Sequence, residues 1–330
     1  MVVMQRGLTA IEARRRVSAA LAEREPSIVV LGKPTETNCA LAGAFEQLGY
    51  RARLAHTAEG GFAPGTVAIG RADVLPTLDG IEPALEQLSE LERQGTHVLN
   101  RASALVAAHD KLMTALFLGK AGVAQPKTAH VHDVTVPPFG PPYVVKPRFG
   151  SWGQEVHLAH DEDDLRALLE RLREQPWFRK QGALVQSLVQ PTGRDLRVVV
   201  AAGRVVGSIE RRAQPGEWRT NISLGAERLP VRPSLAARAL ALRAAAALDI
   251  DLAGIDIVGD EIGAMSVLEV NGAVDFNEVY GPDVFTSAAT ALVRRAVARA
   301  AVPDRNDAGL VDVDAILDAD DRADCLDAVG

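Results

Sequence analysis

The stretch VLEVNGAVDFNEVYG, Val267 to Gly281, starts as a buried strand and then places Glu269 and Asn271 where apolar residues would be expected. Just upstream, AGIDIVGDEIGAMSVLEVN reads as a strand, a Gly-containing turn and a second strand. A hairpin centred between Ile262 and Gly263 sets Asp256 opposite Glu269 on one face, and period-two alternation brings Asn271 to the same face. Two facing carboxylates repel, so they need a shared proton, an arginine or a divalent cation. An all-oxygen set without His or Cys favours Mg²⁺ over zinc. A solvated sheet face or an Asp–Arg–Glu ion-pair network would satisfy the same pattern without a metal.

Lysine is the second chemical signal, because the chain uses six Lys against thirty Arg. Lys146 ends the apolar strand YVVKP and precedes FGSWG, where Gly150 and Gly153 let a backbone approach a ligand while the ammonium reaches a phosphate. A surface lysine at a hairpin start is the plain alternative. The turn GKPTETN lacks the Walker spacing and reads as an ordinary βα turn. His130 and His132 share a strand face and His157 and His160 lie three apart, but no acidic partner completes a triad or metalloprotease spacing.

The elements that must position these groups alternate between strands and helices. SIVVLGKPTETNCALAGAFEQLGY reads as strand, turn and amphipathic helix, followed by the strand RARLAH, which suggests a small α/β unit with a parallel sheet to about residue 103. One helix is expected through SALVAAHDKLMTALFLGKAG to Gly122, then strands TAHVHD and YVVKP, and helix DEDDLRALLERLRE with acidic residues at its positive end. From Ala183 long strands dominate: ALVQSLV, then RDLRVVVAAGRVVGSIERRA folding back at Ala202–Gly203. Ser234 caps an Ala-rich helix to Leu248, and a last helix spans about 283–302.

Length and composition bound the rest. A chain of 330 residues implies two or three packed units. The formal charge of −7 equals that of the tail Pro303–Gly330 alone, with nine Asp and two Arg, so residues 1–302 are neutral and give no basic footprint for nucleic acid. Cys39 and Cys325 form no CxxC pair, which fits a reducing cytoplasm. The first 26 residues carry arginines throughout instead of a signal-peptide core, Thr9 is placed to cap a helix there, and no run is long enough to span a membrane.

The ordered series HDKLMTALFLGKAGVAQPKT, YVVKPRFGSWG, ALVQSLV, GRDLRVVV, GSIERRAQPGEWRTN, AGIDIV and LEVN resembles the RimK-type glutamate ligases of the ATP-grasp superfamily, from about residue 97 to 275. The resemblance implies an α/β protein with α+β lobes: an N-terminal helix and Rossmann-like pre-ATP-grasp domain over 1–103, a central lid over 104–182, a C-terminal subdomain with the Mg-ATP site over 183–302, and the tail over 303–330. It implies that Lys111, Lys146 and Ser151 hold nucleotide phosphates. Gln186, Ser187, Leu188 and Val189 would flank the adenine, with Asp195 near the ribose. Arg211, Arg219 and Asn221 would meet phosphate or the transferring group, and Asp256, Glu269 and Asn271 would ligate Mg²⁺, with Mn²⁺ as the alternative ion.

The implied activity is ATP-dependent joining of a carboxylate to an amine through an acylphosphate, adding glutamate or a related amino acid to a peptide, a small acidic or carrier protein, or a small molecule. A homo-oligomer without nucleic-acid or membrane partners is implied too. The family's usual Glu is replaced by Ser187. GSWG and EVN…DFNEV look closer to a carrier-protein branch, from which Gly272 and Asp275 depart. A nucleotide-binding regulator that lost ligation and a ligase of a peptide natural-product pathway share most of these residues.

Overall fold

The computed structural model describes residues 28–58, 62, 65–72, 83–150, 153–189, 193–259 and 263–300. The expected N-terminal helix, Ser151, Trp152 and the acidic tail lie outside them. No described helix is long and apolar enough to cross a membrane.

Strand β1 (Ile28–Leu31) is apolar at every position and buried at every position, as suits an inner strand of a parallel sheet. It pairs in parallel with β2 (Ala52–Ala55) and β3 (Val67–Gly70), and β4 (His97–Leu99) adds to β3. Between β1 and β2 runs α1 (Glu36–Gln47), whose start is fixed by the Thr35 hydroxyl accepting from the Asn38 N–H. The helix α2 (Pro83–Arg93) leads into β4.

The single helix expected to Gly122 is two helices, α3 (Ala102–His109) and α4 (Lys111–Lys120). Asp110 breaks the run, because its carboxylate accepts from the Leu112 and Met113 N–H groups and also from the Arg148 guanidinium. A side chain so engaged serves as the cap of a new helix better than as a link in an old one.

A small antiparallel sheet follows: β5 (Thr128–Val131), β6 (Tyr143–Pro147), β7 (His157–Ala159) and β8 (Ala183–Ser187), in the order β5-β8-β6-β7. Against it lie α5 (Glu162–Leu172), which buries Leu165, Leu168, Leu169 and Leu172 on one stripe, and α6 (Pro176–Gln181). The boundary expected after residue 182 cuts this sheet, since β8 pairs with β5 and β6. At the other end, Leu118 of α4 packs with the large sheet's core.

The large sheet holds β9 (Arg194–Ala201), β10 (Arg204–Arg212), β11 (Glu227–Pro230), β12 (Leu252–Gly259) and β13 (Met265–Asn271), in the order β11-β10-β9-β12-β13. Ala202 and Gly203, both at positive φ, make the expected two-residue turn between β9 and β10. Val198, Val200, Ala253, Ile255 and Ile257 bury one face under α7 (Leu235–Ala247), capped by Ser234. The other face, with Val199, Ile209 and Leu252, shares one core with α8 (Val284–Ala300), with Phe45 of α1 and with Ile28, Val30 and Leu99 of the N-terminal sheet. The small sheet has a separate core around Tyr143, Val145, Leu165, Phe178 and Val185.

Two buried polar residues fasten the N-terminal sheet to the loop after β13. Asn100 donates to the carbonyls of Leu252 and Gly272, at 2.7 and 3.1 Å, and accepts from the N–H groups of Asp251 and Leu252. Arg71 donates to Asn38 and to the Val274 carbonyl.

Candidate active site

The hairpin of β12 and β13 places Asp256 directly opposite Glu269 and Gly254 opposite Asn271. Nearer the turn the pairs run one residue out of that register, Ile257 facing Val267 and Gly259 facing Met265. The facing pair expected from a symmetric hairpin is therefore right, but a β-bulge at Leu268 is needed to make it so. The extra residue keeps Val267 and Val270 in the core while turning Glu269 outward.

Glu269 opens onto a cleft between the small and large sheets, whose wall also includes Lys111, Lys146, Gln186, Arg219 and Asn221. Lys111 sits at the first turn of α4 and its ammonium lies 3.2 Å from Glu269 Oε1, while also donating to the Gly150 carbonyl. The Asp110–Arg148 pair and a hydrogen bond from the Lys111 N–H to the Arg148 carbonyl hold this helix start against the end of β6. Lys146 is 7% exposed, and burial lowers its ammonium to about 8 against the opposing pull of Glu269. Burial pushes the Glu269 carboxyl up, but Lys111 and Lys146 together outweigh it and hold it below its usual range. A buried ammonium beside a second one is a site for a polyanion.

The strand end of β8 supplies another wall. Gln186, Ser187, Leu188 and Val189 all line the cleft. Ser187 is fixed by exchange with Lys127, its N–H donating to the carbonyl at 2.9 Å and its hydroxyl accepting from the N–H at 3.0 Å. Gln186 donates to Thr128. Arg219 is drawn back onto Glu217 at 2.8 Å, and Asn221 packs so closely on Gly153 that a Cβ there would sit 2.8 Å from its Oδ1.

Asp195, Arg211 and Asp256 lie buried behind the wall. Asp195, expected near the ribose, is 3% exposed and is gripped by the Arg211 fork and by the Thr220 hydroxyl at 2.6 Å. Arg211, expected to offset nucleotide charge, is 4% exposed and divides its guanidinium between Asp195 and Asp256. Antiparallel register explains both placements, since Asp195 stands opposite Arg211 and Asp256 opposite Arg197. Arg197, absent from the sequence expectation, binds Asp256 with both prongs at 2.6 and 2.7 Å. Burial pushes Asp256 up, but Arg197 and Arg211 outweigh it and keep the carboxyl ionised.

The ion-pair reading of the facing carboxylates is thus realised for Asp256, while Glu269 turns to lysine. The donor set still fits a divalent cation. Asp256 Oδ1 takes one guanidinium hydrogen bond and keeps a second lone-pair direction, and Asn271 uses its Nδ2 toward the Gly254 carbonyl at 3.4 Å, leaving its acceptor oxygen as the metal-type donor. Among the described residues no three His, Cys, Asp or Glu side chains gather as a metal site, so such an ion needs the Asn271 amide and ligand oxygens to complete its shell.

The family profile described as RimK-like ATP-grasp domain matches residues 108–294, more than half of the chain. The chain belongs to the RimK-like ATP-grasp family. A probable alpha-L-glutamate ligase 2 of Hahella chejuensis is 33% identical over 195 residues, 56% of this chain and 62% of the relative, so the chain spans less than two thirds of that relative's length. The ATP-grasp ligase PsnB, solved with a minimal precursor, Mg and ADP, shares the fold at 19% identity and a TM-score of 0.60, over 83% of this chain and 99% of that one. A RimK domain ATP-grasp protein from Sphaerobacter thermophilus does so at 22% identity and a TM-score of 0.58, over 81% and 99%. The RimK-like ATP-grasp match begins one residue before His109 and so takes in both lysines, the Arg–Asp network and the hairpin.

Proposed function

We propose that this chain is an ATP-dependent carboxylate–amine ligase. The carrying observation is the meeting of Lys146 of the small sheet and Lys111 of α4 with Glu269 of the large sheet at one cleft, Asp256 standing opposite Glu269 just behind it. A substrate carboxylate oxygen attacks the γ-phosphorus of ATP, the bond to the bridging oxygen breaks, and ADP leaves. An amine nitrogen then attacks the acyl carbon, phosphate departs, and the amine loses a proton to solvent or to the departing phosphate. Positioning and charge neutralisation carry such a transfer.

Lys146 and Lys111 neutralise phosphate oxygens, and Gln186 through Val189 flank the base. By the family resemblance, Ser151 takes phosphate as well. Arg219 exchanges Glu217 for the transferring phosphoryl, and Asn221 orients the acyl oxygen. Asp256, Glu269 and Asn271 hold Mg²⁺, or Mn²⁺ in its place, which when bound offsets charge on the phosphates. Asp195 and Arg211 support this surface from behind.

The relatives' names favour glutamate or a related amino acid as one partner, with a peptide, a small acidic or carrier protein, or a small molecule as the other. The same reading has the protein acting in the cytoplasm, as a homo-oligomer without nucleic acid. It divides the chain into an N-terminal Rossmann-like unit, a lid from about residue 125 through Ser187, and a C-terminal lobe that also receives α3 and α4. ADP release with Mg²⁺ and ATP across a panel of amino acids and glutamyl peptides, with mass spectrometry of the products, tests the reading. A new amide supports it, and ATP binding without turnover on any pair would favour a regulator.

A further inference from the structure

The catalytic face of the large sheet carries a cross-strand row of charges that ends on an arginine with no counter-ion among the described residues. Arg228 of β11 stands directly opposite Arg211 of β10, which stands opposite Asp195 of β9. One step along, Arg197 faces Asp256, which faces Glu269. Directly paired residues share a face, so Arg228 belongs to the same surface as the whole network.

Two arginines side by side across a ladder repel. Arg211 escapes that cost through Asp195 and Asp256. Arg228 is exposed and makes no ion pair among the described residues. The row of three arginines and two aspartates is therefore one negative charge short, at the end farthest along the sheet from Glu269 and Lys111. An unpaired guanidinium on the catalytic face suits a carboxylate, because its planar fork binds both oxygens.

We propose that Arg228 binds a carboxylate of the acceptor substrate and so positions it on the catalytic face, on the side of Asp256 away from the lysines. This deepens the ligase reading and rests on it. Arg228 is then a specificity residue for an acidic acceptor, distinct from the nucleotide machinery.

The test uses the full chain with Mg²⁺, ATP and the peptide acetyl-Glu-Glu, with hydroxylamine replacing the amine so that an acylphosphate is trapped as a hydroxamate. Arg228→Gln should raise the KM for the peptide by about tenfold or more, the loss expected for a charge-assisted hydrogen-bonded contact. The KM for ATP and the dissociation constant for ADP should stay within about twofold of the parent, and Arg228→Lys should recover part of the peptide affinity. An unchanged peptide KM in Arg228→Gln would overturn the assignment, as would a parallel loss of ADP affinity, which would mark a structural role. Absence of hydroxamate from the parent chain would overturn the ligase reading and this assignment with it, a result separable from the first because it needs no variant.

Discussion

Lys146 sets how nucleotide binding should depend on pH. Its ammonium titrates near 8 in the ligand-free protein, against 10.5 for the free side chain. Bound phosphate favours the protonated form, so ADP affinity should be flat below pH 8 and fall above it, by up to about tenfold per pH unit until the group's value in the complex is reached. Isothermal titration from pH 7 to 9.5 reads this directly, and Lys146→Met should bind weakly at all pH values and lose the slope. The sign for stability is opposite: between pH 8 and 10.5 the unfolded chain holds the proton that the native chain has shed, so this residue's contribution to stability rises with pH. Glu269→Gln should reduce kcat by about a hundredfold or more with the fold retained, checked by turnover beside circular dichroism. Asp195→Ala should act differently, lowering stability by about 1–3 kcal/mol because Arg211 keeps only Asp256 and the Thr220 hydroxyl loses its acceptor, as measured by urea denaturation. The facing pair Asp256 and Glu269 was legible from hairpin symmetry, yet Arg197 was not. Its partner lies on β12, and which strand flanks β9 is decided by tertiary pairing that no local pattern encodes.

At the scale of elements, the cleft depends on where α4 begins. Asp110 caps that helix and holds Arg148, and the Lys111 N–H donates to the Arg148 carbonyl, so one carboxylate registers Lys111 against the loop that follows β6. Asp110→Ala should cost about 1 kcal/mol from the cap alone and more from the unpaired arginine, and should weaken ADP binding by more than it lowers Tm. Gly153→Ala should impair binding too, since φ is +72° there and the added methyl meets the Asn221 side chain. The strand and helix order was legible in the sequence because caps such as Thr35 and Ser234 and the Ala202–Gly203 turn are local signals. The break at Asp110 escaped because HDKLMT is helical by composition, and only the distant Arg148 shows why the run divides. The placement of β8 escaped for the same reason: ALVQSLV is an apolar strand wherever it pairs.

For the whole molecule, the distribution of cores predicts unequal motion. The N-terminal and large sheets share one core, whereas the small sheet encloses its own. Hydrogen exchange should therefore show the two former sheets opening together, with β5 to β8 opening separately and gaining the most protection when ADP is added. The polar fastening of Asn100 and Arg71 onto the Gly272 and Val274 carbonyls carries a consequence for ancestry and engineering. A donor N-terminal segment spliced onto residues 101–300 would have to bring its own amide and guanidinium to those two carbonyls. Without them, the loop leaving Asn271 would lose two of its anchors, and a hybrid could retain every cleft residue yet fail to hold Asn271 in register beside Asp256 and Glu269. Recombination among relatives should thus preserve this pair of residues together with the hairpin, as one inherited unit divided across the chain.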